Sequence, residues 1–198
     1  MRLEVQGMPD RPKPPSDFKV PDGQDGGPDD YYSLAENYLL AAEILWKQER
    51  EHREKEERLP VVAPATQLLG IGFELFLKAQ LLERGYEHKQ LRDRHKFGHQ
   101  IHRMWMMPEF DLLRPLAQEI AEKCVIVKQS PILDPKVYTI DWTIETIEML
   151  YGSESHYALR YPKGVTNVPY IQPLLWVLAE FLAKREAISQ LHSQQRSI

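Results

Sequence analysis

Glu74 and Lys78 stand four residues apart inside the apolar run GFELFLKAQLLERG. On a helix that spacing puts a carboxylate and an ammonium on one face. Their neighbours Phe73, Leu75, Phe76, Leu77, Ala79 and Leu81 are all apolar, and burying one charge alone costs several kcal/mol. The two must therefore pair, find further partners, or open onto a polar pocket. One reading is an i,i+4 ion pair at the edge of a helical core; the other makes them the floor of a site.

The segment Arg84 to Arg103, RGYEHKQLRDRHKFGHQIHR, follows at once and carries Arg84, Lys89, Arg92, Arg94, Lys96 and Arg103 against Glu87 and Asp93. The chain as a whole has a net charge of −4. A local excess of +4 leaves −8 for the remainder, so the segment is a basic island in an acidic protein. Basic side chains beside a helix N-terminus, where backbone N–H groups and the helix dipole favour anions, suit a phosphate. A solvated loop with excess charge is the plainer alternative. Four of the seven histidines lie here. His95, His99 and His102 are spaced as on one helical face, but no Cys or carboxylate joins them at ligand spacing, so no metal site is expected. His99, at the start of a helix, is read as hydrogen-bonding across the fold.

A third group, His156, Tyr157, Arg160 and Tyr161, occupies the polar stretch SESHYALRYPKG. Two aromatic rings flanking a guanidinium can stack on a base and clamp a phosphate, and can equally pin a loop to the core. There is no glycine-rich phosphate loop, nucleophile elbow or paired-histidine protease motif, and nothing calls for a cofactor.

The elements that must carry these residues are helical. Tyr31, Leu34, Ala35, Tyr38, Leu39, Ala42 and Leu45 follow the spacing of an amphipathic helix, with Asp29 or Asp30 as its N-cap. The run KQEREHREKEER extends it with interleaved charges that suit a solvated face. A second helix from Pro64 to Arg84 is apolar nearly all round, hence central, and Gly85 stops it. A third is expected from about His99 and a fourth over 109–123. After the ambiguous stretch 125–140, which can form a short hairpin, a fifth is expected from an Asp141 cap to Leu150 and a last over 173–190. An all-α bundle of about five helices follows.

The first thirty residues hold six prolines, four glycines and six aspartates without a period, and read as an irregular tail before a single helical domain over 31–198. The chain has 198 residues, 42% hydrophobic and 27% charged, which fits one globular core and excludes collagen-like or wholly disordered classes. Cys124 stands alone, so no internal disulfide forms and a reducing compartment, the cytoplasm, is expected. No apolar run reaches the roughly 18 residues that a membrane helix needs.

The order of these pieces resembles the HEPN superfamily of small α-helical bundles. The likeness is carried by YYSLAENYLLAAEIL, GFELFLKAQLLERG, FGHQI and LRYP, and covers about residues 31–190. It implies an up-down bundle that forms homodimers and a cytoplasmic role in binding RNA or a nucleotide, with an antitoxin or a nucleotidyltransferase as a partner. In that reading Arg94 and Arg160 hold phosphate, His99 donates a hydrogen bond or acts as acid/base, Glu74 and Lys78 orient the site, and Tyr161 lines it. Many members are metal-independent ribonucleases with an Arg four to six residues before a His. Arg94 and His99 match that spacing, earlier in the chain than usual, while no histidine follows Arg160 within it. The resemblance thus leaves three functions open: phosphate-ligand binding, endoribonuclease chemistry through Arg94 and His99, and a non-catalytic protein-interaction module.

Overall fold

The computed structural model describes residues 26–55, 61–93, 97, 99–126, 139–151 and 169–195. Within them the chain is α-helical, and no strand occurs among the described residues. Five longer helices form the bundle: α1 (Pro28–Glu54), α2 (Val62–Glu83), α5 (Leu113–Ile126), α6 (Ile140–Tyr151) and α7 (Gln172–Ala183). Two short helices, α3 (His88–Leu91) and α4 (Ile101–Trp105), lie between α2 and α5, and α8 (Arg185–Gln195) follows α7. The stretch read as a possible hairpin falls mostly on 127–138, outside the described residues.

Helix α1 starts earlier than its periodicity suggests. Pro28 takes the first turn, where its missing N–H costs nothing, and the Asp30 carboxylate accepts from the Gly27 N–H at 2.8 Å. Asp29 and Asp30 therefore sit inside the first turn, against the positive end of the helix dipole, and are not the N-cap. The buried face is Tyr32, Ala35, Leu39, Ala42 and Trp46. Leu34 points outward, 48% exposed, because the inward stripe is phased on Tyr32 and Trp46.

Helix α2 is the centre of the bundle, as its all-round apolar sequence requires. Leu69, Phe73, Phe76, Leu77 and Leu81 are fully enclosed, and α1 packs along it more extensively than any other pair of helices. Gly72 makes that close approach possible, since a Cβ there would lie 3.3 Å from both the Ala35 carbonyl and the Tyr38 Cβ. The helix ends in a Schellman motif: the Gly85 N–H donates to Leu82 and the Tyr86 N–H to Leu81, at 2.9 and 3.1 Å, with Gly85 left-handed at φ +86°.

What reads as a basic loop after Gly85 contains a helical turn, α3, closed by a capping box between Glu87 and Gln90. The next helix begins at Ile101, two residues after His99, and the Glu148 carboxylate of α6 accepts the His102 N–H at its start, at 2.7 Å. For α6 the capping oxygen is the Thr139 hydroxyl, which accepts from Trp142 N–H at 3.3 Å. Asp141 instead accepts the Trp105 indole N–H at 2.7 Å, tying α4 to α6. Rings then connect the layers: Trp105 meets Phe73 edge-on at 5.5 Å, Phe73 stacks on Phe76 at 6.3 Å, and Phe76 on Phe181 at 5.6 Å.

Candidate functional site

Glu74 is the pivot of the site. Its side chain is only 9% exposed, yet both oxygens are engaged: Oε1 accepts from Lys78 Nζ at 2.5 Å, and Oε2 lies 3.0 Å from His99 Nδ1. The i,i+4 pair follows from the helix alone, whereas His99 arrives from the loop before α4, 25 residues on. His99 adopts φ +57°, the one left-handed non-glycine backbone among the described residues. Such a conformation costs of order 1–3 kcal/mol and needs surrounding contacts to hold it. The Glu74 hydrogen bond on one side and the anchoring of α4 on the other are among those contacts.

Burial pushes the Glu74 carboxyl up, but the hydrogen bond from His99 and the adjacent Lys78 ammonium outweigh it and hold the group below its ordinary value. An ionised carboxylate only accepts, so Nδ1 of His99 carries the proton and the basic lone pair of the neutral ring is at Nε2. Just over half of the His99 side chain, 54%, is exposed. A buried carboxylate that fixes an exposed imidazole in one tautomer is an arrangement suited to donating a hydrogen bond to a ligand or moving a proton.

The depressed Glu74 carboxyl has a consequence for stability. It is protonated less readily folded than unfolded, so its contribution is fully present above the ordinary carboxyl value of 4.5 and is lost as the pH falls through its lower folded value. Denaturant unfolding between neutral pH and about pH 3 is expected to show a steeper acid loss for the wild type than for Glu74→Gln, in which this group no longer titrates. Parallel pH profiles for the two proteins would exclude Glu74 as the source.

Two residues that the sequence does not mark as site residues form a ring pair between α1 and α3. The Tyr31 phenol is raised by burial and then by the Glu74 carboxylate, and Tyr31 packs against His88 with ring centroids 5.9 Å apart. The only sequence signal was that Tyr31 opens α1 and His88 lies in the basic island. Arg84, counted in that island, is structural: it donates to the Gln80 carbonyl and amide oxygen at 2.5 and 3.0 Å and to the Glu109 carbonyl at 3.2 Å, and sits over the Phe110 ring at 5.4 Å. Lys89, Arg92 and Arg103 keep exposed side chains.

The structure thus brings together Glu74, Lys78 and His99. Arg94, Arg160 and Tyr161, with His95, His156 and Tyr157, lie outside the described residues. No three His, Cys, Asp or Glu side chains converge as a metal-binding group among the described residues, and no described helix is long and apolar enough to cross a membrane. Comparison of the chain with protein-family models, with curated proteins and with solved structures finds no match.

Proposed function

We propose that this chain binds a phosphate-bearing ligand, RNA or a nucleotide, over the Glu74–Lys78–His99 cluster. The observation that carries the reading is the buried Glu74 carboxylate holding His99 Nδ1 at 3.0 Å while just over half of the His99 side chain stays exposed. Lys78 is spent on Glu74 at 2.5 Å and is only 15% exposed, so it steadies the carboxylate and does not meet the ligand. Phosphate charge is met by the exposed cations of the same segment, Lys89, Arg92 and Arg103, together with Arg94 of the sequence pattern. The HEPN resemblance leads to the same ligand class, and with it to a cytoplasmic homodimer, an antitoxin or nucleotidyltransferase partner and a place in defence; an all-α bundle is compatible with it.

Electrophoretic mobility shift with a short single-stranded RNA across a salt series tests this. Binding at low salt that falls linearly in log–log form, by about 0.7 per neutralised phosphate, is expected. No binding at low salt, or binding indifferent to salt, overturns the phosphate reading.

The oriented imidazole also favours a second reading, metal-independent RNA cleavage. Nε2 of His99 would take the proton of a 2′-hydroxyl as that oxygen attacks the adjacent phosphorus, the 5′-oxygen would leave, and Arg94 would stabilise the developing charge. RNA cleavage in EDTA that disappears in His99→Ala supports it. Cleavage unchanged in that variant removes His99 from the mechanism.

A further inference from the structure

One strip of α2 is neither core nor open surface. Ile71, Leu75, Lys78 and Leu82 recur at helical spacing and are each partly exposed, on a helix whose other faces are almost wholly enclosed. Around the helix axis they lie between Gly72, which abuts Ala35 and Tyr38 of α1, and Glu74, which meets His99. The strip is therefore a partly exposed floor between the flank of α2 that meets α1 and the flank that meets His99. Three of its four floor residues are apolar, which a phosphorylated sugar would not use.

Tyr31, one helical turn before the Ala35 that abuts Gly72, pairs its ring with His88. Their planes are tilted by 40° at 5.9 Å, and both side chains are partly exposed. His88 Nδ1 is buried with no hydrogen-bond partner among the described residues, so the ring is held by packing and not through that atom. Tyr31 is partly buried against the core, and the Glu74 carboxylate opposes ionisation of its hydroxyl.

Resting on the phosphate reading above, we propose that Tyr31, backed by His88, is a stacking platform for a nucleobase, so that the ligand of the Glu74–His99 site is a nucleotide or unpaired RNA and not a bare phosphate or sugar phosphate. A base laid on Tyr31 covers the apolar floor, while its phosphate reaches the exposed cations. Because every base has a π-face, such a platform is tolerant of base identity.

Titration calorimetry of the full chain at low salt with 5′-AMP, 5′-UMP and ribose 5-phosphate tests this. Both nucleotides are expected to bind about tenfold more tightly than ribose 5-phosphate, the contribution of one stacked base. Tyr31→Leu is expected to erase that difference and Tyr31→Phe to keep it, since the ring and not the hydroxyl does the stacking. In the wild type, nuclear Overhauser contacts between the AMP base protons and the Tyr31 ring supply a readout that needs no variant. Equal affinity for all three ligands, equal losses for every ligand in Tyr31→Leu, or no contact between base and ring overturns the platform while leaving phosphate binding intact. If none of the three ligands binds, the phosphate reading fails and the platform fails with it.

Discussion

Lys78→Met lowers the stability of the folded chain by about 2–3 kcal/mol, while Glu74→Leu combined with Lys78→Met recovers most of that loss. The asymmetry comes from burial. Glu74 is 9% exposed and Lys78 15%, so removing the ammonium strands a desolvated carboxylate that keeps, among the described residues, only its hydrogen bond with His99. Removing both charges leaves two apolar side chains on a helix already lined by Phe73, Leu77 and Leu81. The magnitude stays at the lower end for a broken buried pair because His99 still holds one carboxylate oxygen at 3.0 Å. In a chain of this size the single change corresponds to a melting temperature lower by about 5–10 °C. A double-mutant cycle by denaturant unfolding measures it, and equal losses in the single and double variants would show that the pair is effectively solvated.

A still larger loss, about 4 kcal/mol, is expected from Trp105→Ala. Trp105 is fully enclosed, meets Phe73 at 5.5 Å and Phe110 at 6.1 Å, and its indole N–H donates to Asp141 at 2.7 Å. Its carbonyl also accepts from Arg114 at 2.9 Å. The cavity left by the indole would sit under a helix of only five residues, which has no stability of its own. That helix begins two residues after His99, so its loosening releases the left-handed backbone that presents the imidazole. Hydrogen exchange of the amides over 101–105 is expected to accelerate beyond the global loss, and the proposed phosphate-ligand binding at His99 to weaken in parallel. A cost near 1 kcal/mol, with exchange over 101–105 unaltered, would mean that α4 is held by its other contacts. Trp105→Phe separates the two parts, since it keeps a ring in the core and deletes the bond to Asp141.

How much of this is legible in the sequence follows from how far apart the interacting residues are. The apolar period of α2 and the Glu74–Lys78 spacing depend on one helix, so class and ion pair are both readable at a span of four residues. The Gly85 stop is readable for the same reason, because a Schellman motif involves only consecutive residues. Caps at the other ends are less so: Thr139 rather than Asp141 serves α6, since the Asp141 carboxylate is drawn to an indole 36 residues away. The phase of α1 is not legible at Leu34, because several apolar stripes are available on that helix and packing against α2 and α7 selects the one led by Tyr32 and Trp46.

Local spacing and composition suffice for a helical bundle, a charged pair embedded in its most apolar helix, and a basic segment rich in histidine. Tertiary structure decided which histidine meets the carboxylate. It turned the His99 backbone left-handed, spent Arg84 on Gln80, Glu109 and Phe110, and set Tyr31 on His88 across 57 residues of chain. The physical reason is that local propensities select helices, whereas the meeting of side chains from separate helices depends on how a close-packed core settles.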